Sequence, residues 1–144
     1  MSTAVVTKQM KVNRAEELLE NTAQTMNARR VTGVGRENSD VESIWLGKVF
    51  TEAGEVSDPH HHGHVETAGY VLEGEAYIRT GHLFQDIVYL KAGDFLYVPP
   101  GVPHIEGNRS KTKQLIWLTA RESENVVVNL KGVDVADIEI DMVP

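Results

Sequence analysis

Four of the six histidines in this chain fall within five residues, His60-His61-His62-Gly63-His64, and Glu66 follows two residues later. His104 lies forty residues beyond His64, at the end of Gly93-Asp94-Phe95-Leu96-Tyr97-Val98-Pro99-Pro100-Gly101-Val102-Pro103-His104. Imidazole is the commonest side-chain ligand of divalent transition metals. Alternate residues of an extended backbone share a face, so His60, His62 and His64 project together and His61 projects away. Glu66 has the same parity, which permits a carboxylate ligand beside them. Three same-face histidines exceed what two ligand places require, and Gly63 can break the alternation through a bulge. For His104 to join the cluster, two strands distant in sequence must meet around one point, as in a sheet closed on itself. The run Pro99-Pro100-Gly101-Val102-Pro103 makes a stiff turn that limits the entropy lost in presenting His104. A mixed imidazole and carboxylate set with open positions suits Fe(II), Mn(II), Ni(II), Zn(II) or Co(II) without choosing among them.

The rest of the sequence supplies strands for such a barrel. Residues 43–51 carry Ile44, Leu46 and Phe50 on one parity, with Trp45 and Val49 on the other. Further strand-like runs occupy residues 69–73, 75–80, 84–90, 95–98, 113–119 and 125–130, with Gly74, Gly81, Gly93 and Gly101 at turn positions. Many short strands with regular turn signals predict an all-β sandwich or barrel. One helix is expected over residues 14–28: Asn13 and Glu16 fit a capping box, and Leu18, Leu19, Ala23 and Met26 fall near helical spacing. Residues 31–40, rich in Gly, Asn, Ser and Asp, read as a connecting loop. The expected organisation is a single domain: an N-terminal helix and connecting segment over 1–40, a barrel over 41–131 and an acidic tail over 132–144. That tail is expected to dock on a partner subunit or to move freely.

Composition narrows the function. The chain of 144 residues has a formal net charge of −7 and no basic cluster larger than Arg29-Arg30, which argues against nucleic acid as a partner. No apolar run approaches the roughly 20 residues that cross a bilayer, and residues 1–10 lack the pattern of a secretory signal. The absence of cysteine excludes disulfides and thiolate ligands. A cytoplasmic protein is the expectation. His82 follows Gly81 in a hairpin-like turn and reads as a surface residue, Asn108 reads as a turn support, and the aromatic residues are more often core than pocket.

The two histidine segments resemble the motifs of the cupin superfamily. The second motif, G-x5-P-x-G-x2-H-x3-N, is matched in full by Gly93, Pro99, Gly101, His104 and Asn108. The first, G-x5-H-x-H-x3or4-E-x6-G, is matched by Gly54, His60, His62, Glu66 and Gly74, except that seven residues separate Glu66 from Gly74. At the usual distance before Gly74 stands Thr67, a poor metal ligand. The resemblance covers roughly residues 42–120. It implies a double-stranded β-helix, or jelly roll, built around one metal ion. Its leading ligand set is His60, His62, Glu66 and His104. Two three-histidine sets stay open beside it: His60, His62 and His104, or His62, His64 and His104.

The resemblance also implies a small metalloenzyme acting on a small organic molecule inside the barrel. Its chemistry would be dioxygenase-like, or that of a decarboxylase or isomerase. Glu66 and Tyr70 are the candidates for moving a proton, and Arg79, Lys48 and Gln114 are candidate polar pocket residues. The alternative is a non-catalytic module that binds a small ligand. Such folds often form homodimers by pairing edge strands or exchanging N-terminal segments, so a homodimer is expected.

Overall fold

Burial alternates residue by residue along the longest strands, and that alternation builds the two layers of the molecule. The computed structural model describes residues 9–144; of the stretch examined for a secretory signal, residues 1–8 lie outside the described residues. The strands are β1 (Arg29–Val34), β2 (Ile44–Thr51), β3 (His60–His61), β4 (Thr67–Glu73), β5 (Glu75–Thr80), β6 (Asp86–Lys91), β7 (Phe95–Val98), β8 (Ile105–Asn108), β9 (Leu115–Glu122) and β10 (Val128–Asn129). A single short α-helix among the described residues, α1 (Arg36–Ser39), follows β1. One sheet runs β1-β2-β9-β4-β7 and another β6-β5-β8, with β3 and β10 paired beside them. Isolated antiparallel bridges, Val56 to Gly107 and His60 to His104, tie the segment leading into β3 to β8 and to the residue before it. The result is the jelly-roll architecture expected for an all-β chain with alternating strands.

Each inward row changes character along its length. On β9, Leu115 and Trp117 are buried in the apolar half, and Thr119 and Arg121 are buried further along the same face. On β4, Val71 joins the apolar half, while Thr67 and Gly69 occupy the polar half. Val49, Val71, Ala76, Ile78, Leu90, Leu115 and Trp117 form the core, with Ala28 added from the segment before β1. The barrel therefore has a greasy end that holds it together and a polar end where chemistry is possible.

The N-terminal region departs from expectation. Within residues 14–28 the described helical structure is one 3-10 turn, Ala15–Glu17, and a turn at Thr25–Ala28 then leads into β1. The Asn13 amide does not cap a helix; it donates to the Gly33 carbonyl (2.9 Å) and the Ser39 hydroxyl (2.7 Å). Leu19 instead exchanges backbone hydrogen bonds with Thr32 on the open edge of β1, at 3.2 and 2.7 Å. Asn21 and Thr22 are weak helix formers, and an available sheet edge outweighs a short apolar stripe. Residues 31–34, part of the 31–40 stretch read from composition as a connecting loop, belong to β1, which pairs antiparallel with β2 with a register shift between Thr32 and Val34.

The acidic tail docks on its own barrel. Ala136 donates its backbone N–H to the Leu83 carbonyl (2.8 Å), Val143 pairs with the backbone of Arg109 and Lys111, and Asp141 meets Arg109 at 2.8 Å. The turn after β8 is held by Asn108. Its amide donates to the carbonyls of Thr51 (3.1 Å) and Lys113 (2.7 Å), and its oxygen accepts from the Ser110 N–H (2.9 Å). Replacing it leaves buried backbone groups without partners. Asn108→Ala is expected to destabilise the protein by about 2–4 kcal/mol, read as a lower urea midpoint with an unchanged m-value.

Candidate metal centre

His60 and His104 meet because their backbones pair. The His60 N–H donates to the His104 carbonyl at 3.0 Å and the His104 N–H returns the bond at 2.9 Å, so both side chains stand on one face of the bridge. Their ring centroids are 4.4 Å apart, and the His62 ring lies 5.2 Å from His60 and 5.0 Å from His104. All three are nearly sealed from solvent, at 0–3% exposure. Their ligand atoms lie within 4.8 Å of one another.

Orientation is fixed by a repeated device. Nδ1 of each ring lies against a backbone carbonyl: Asp58 for His60 (2.9 Å), Val126 for His62 (2.8 Å) and Val102 for His104 (2.9 Å). A carbonyl can only accept, so each Nδ1 carries the proton and each Nε2 presents a lone pair, which in His60 and His62 lies 3.3 Å from an arginine Nη2. Hydrogen bonding of one ring nitrogen is how a ligating imidazole is held in one tautomer. Three converging nitrogen lone pairs in a closed site fit a divalent transition ion.

Glu66 is not among them. Gly63, at a φ of +60°, and His64 form a turn closed by the Val65 N–H on the His62 carbonyl (3.3 Å). That turn resets the strand alternation, so Val65 and Thr67 point inward. His64 and Glu66 are exposed, and the Tyr97 hydroxyl donates to the Glu66 carboxylate outside the barrel. Tyr70 is also on the outward row of β4, its ring 4.8 Å from Phe95. The two residues proposed from sequence to move protons therefore stand outside the cavity. Arg79 and Gln114 are committed elsewhere, to the Phe84 carbonyl and to Glu52, and Lys48 sits on the outward row of β2.

Residues overlooked in the sequence complete the site. A cavity of about 20 Å³ is lined by His62, His104, Thr67, Glu106, Trp117 and Arg121, among others. That is room for about one water molecule. Larger clefts lie on the surface, such as one of about 650 Å³ around Glu20, Met26, Arg29 and Phe50, and hold none of the histidines. Arg30, fully buried, places Nη2 3.3 Å from His60 Nε2 and 3.5 Å from Glu106. The Arg121 guanidinium lies 3.3 Å from both ring nitrogens of His62, with the Trp45 ring 5.2 Å away. Glu106 had a legible signal, since it is two residues from His104 and shares its face. Arg121 shares the inward row of Trp117, but no register pointed it there. Arg30 lies on a strand the composition concealed.

Burial dominates the titration of this cluster. It lowers His60 to about 4, with the charges of His104 and Arg30 adding to the effect and Glu106 opposing it. His62 and His104 are lowered chiefly by burial as well. Burial lowers Arg121 to about 9, which leaves it cationic at neutral pH. Burial alone would raise Glu106, but Arg30 foremost and His60 next hold it below the usual carboxylate range. At neutral pH the site thus comprises three neutral imidazoles, two guanidinium cations and one carboxylate.

A cupin domain model matches residues 48–121, which is 74 of 144 residues. The chain belongs to the cupin family. A germin-like protein of Arabidopsis thaliana, subfamily T member 3, is 36% identical over 73 residues, covering 49% of this cupin and 32% of the relative. Among solved structures, a deletion mutant of Bacillus subtilis oxalate decarboxylase superposes with a TM-score of 0.66 at 21% identity, over 81% of this chain and 31% of that one. The same enzyme at pH 4.6 gives a TM-score of 0.63 at 21% identity, over 74% and 28%. This cupin spans about a third of the length of those proteins, and at such identity the likeness concerns the fold.

The sign of the pH dependence follows from the buried imidazoles. The folded metal-free cupin holds His60 neutral down to about pH 4, whereas an unfolded chain protonates it near 6.5. Between those values the unfolded state binds more protons, so stability falls as pH falls. The melting temperature of the metal-free protein is expected to be steady above about pH 6.5 and to drop on titration toward pH 4. A flat or rising profile across that window would contradict the burial of the triad.

Proposed function

We propose that this cupin is a small metal-dependent enzyme whose substrate, a small organic molecule, meets the metal inside the barrel in dioxygenase-like, decarboxylase or isomerase chemistry. The convergence of one ring nitrogen from each of three histidines within 4.8 Å, each ring oriented by a backbone carbonyl, carries the reading. His60, His62 and His104 would hold the ion, drawn from Fe, Mn, Ni, Zn and Co. One structural neighbour, Bacillus subtilis oxalate decarboxylase, is described with Mn(II) centres, which keeps Mn in that group. A bound divalent ion supplies Lewis-acid activation of a substrate oxygen.

The chain's own contribution centres on Glu106. It is the one carboxylate among the residues lining the cavity, its Oε1 is 4.0 Å from His60 Nε2, and Arg30 keeps it ionised. An ionised carboxylate held there can accept a proton from a substrate bound beside the triad. Trp117, Leu96 and Val98 wall the same space and exclude bulk water, which strengthens every charge interaction within it.

A second reading, a non-catalytic ligand-binding module, is favoured by Thr67. It stands inward where the first cupin motif spaces a carboxylate, so one potential reactive group is missing. Among the described residues no helix is long and apolar enough to cross a membrane. The absence of cysteine fits a cytoplasmic enzyme, and that location is part of the proposal. So is a homodimer. The outer face of the five-stranded sheet joins Leu46, Ala120, Ala68 and Tyr97 in one register row and Leu118, Tyr70 and Phe95 in the next. With Phe95 78% and Tyr97 57% exposed, a second copy seated on this face would cover it.

Metal analysis tests the proposal. The purified wild type should carry close to one equivalent of transition metal per chain, and His104→Ala should carry only background. Glu66→Gln should keep the wild-type content, because that carboxylate lies outside the barrel. Oxygen uptake with keto acids, β-diketones, catechols or thiols that vanishes in His104→Ala would favour the dioxygenase branch. Saturable thermal stabilisation by one of them without turnover would favour the binding module. In light scattering, wild type should run as a dimer and Phe95→Lys as a monomer.

A further inference from the structure

The cavity holds a surplus of hydrogen-bond donors. Arg121 lines it at 4% exposure, and its Nε and Nη1 meet no acceptor among the described residues. The Trp117 indole N–H and the Thr67 hydroxyl line the same space, also without partners. Buried polar groups are normally satisfied, and orphans in a cavity wall call for an occupant. Opposite these donors stands the Glu106 carboxylate, 3.5 Å from Arg30.

The charges point the same way. Two guanidinium groups against one carboxylate leave an excess of one positive charge in a sealed site, and a divalent ion would raise it to three. Water can satisfy the donors but cannot cancel the charge, and burying unbalanced charge is costly. Thr67 adds to the imbalance, since it places a neutral hydroxyl where the motif spacing would put a carboxylate.

We infer that the cavity is an anion site for a small carboxylate, with Arg121 as its anchor beside the metal; this rests on the metal-dependent reading above and names the substrate class for it. The free Nε–H and Nη1–H of Arg121 offer charge-assisted hydrogen bonds, which a carboxylate's two directional oxygens accept better than a spherical halide. The Trp117 N–H and Thr67 hydroxyl supply further donors. The volume of about 20 Å³, room for little more than one water, limits the ligand to the smallest carboxylate, formate. Arg121 acts here as a specificity-determining residue, while Arg30 is occupied in balancing Glu106.

The test uses the full-length protein loaded with Co(II), whose visible absorption bands report changes at the metal. Formate should shift the bands saturably, with a dissociation constant at least tenfold below that of formamide. Arg121→Gln should keep its Co(II) yet bind formate at least tenfold more weakly, and Arg121→Lys should fall between. Equal affinity for formate and formamide, an equal response to chloride, or Arg121→Gln binding within twofold of wild type would overturn the inference. If Arg121→Gln fails to fold, the comparison of formate with formamide in the wild type decides alone. Failure of the wild type to take up Co(II) would overturn the metal reading and this inference with it. Uptake without discrimination would overturn this inference alone.

Discussion

The paired backbone hydrogen bonds between His60 and His104, at 3.0 and 2.9 Å, are the constraint on which the rest of the site depends. They join the segment entering the barrel at β3 to the one entering at β8, forty-four positions apart in sequence. Once that bridge forms, two imidazoles stand on one face without any side-chain interaction being needed to bring them together. The turn at Gly63 then sends the chain into β4 with His62 facing the same point. Carbonyls of Asp58, Val126 and Val102 finish the work by fixing each ring. Backbone bonds thus set both the position and the tautomer of the three side chains, and such bonds are the least sensitive to side-chain substitution nearby.

Energetically, the polar end of the barrel is sustained by the apolar end. Placing two arginines, a glutamate and three histidines largely out of contact with solvent opposes folding, because each charged group loses hydration that its neighbours restore only in part. The core along β2, β4, β5 and β9 offsets that cost through burial of Val49, Val71, Ile78, Leu115 and Trp117. β9 carries both functions on one row, from Leu115 at the apolar end to Arg121 at the polar one. Its central place between β2 and β4 keeps Arg121 fixed against His62.

The features legible in the sequence are those whose spacing reports directly on geometry. The Gly-Pro-Gly-His-Asn spacing of the second motif determined a turn, a strand and the place of His104, and Asn108 closes that turn as read. Strand runs between Gly74, Gly81 and Gly93 were visible because turn residues bound them. Parity across a turn was not legible. Counting by twos carried Glu66 onto the histidine face, whereas the bend at Gly63 and His64 shifts the count and brings Thr67 inward. The apparent helix before residue 28 failed because the sequence cannot show that an edge of β1 is open to pair with Leu19. Arg30 and Arg121 were passed over for a related reason: a charged residue in a strand reads as solvent-facing until the register across neighbouring strands is known.

Diffraction from crystals soaked in a divalent transition metal, collected at its absorption edge, tests the central claim most directly. The account predicts one dominant anomalous peak inside the barrel, at bonding distance from Nε2 of His60, His62 and His104, with the Glu66 carboxylate outside and turned toward Tyr97. A peak on the exterior at His61 or His64, or none within the triad at saturating metal, would contradict it.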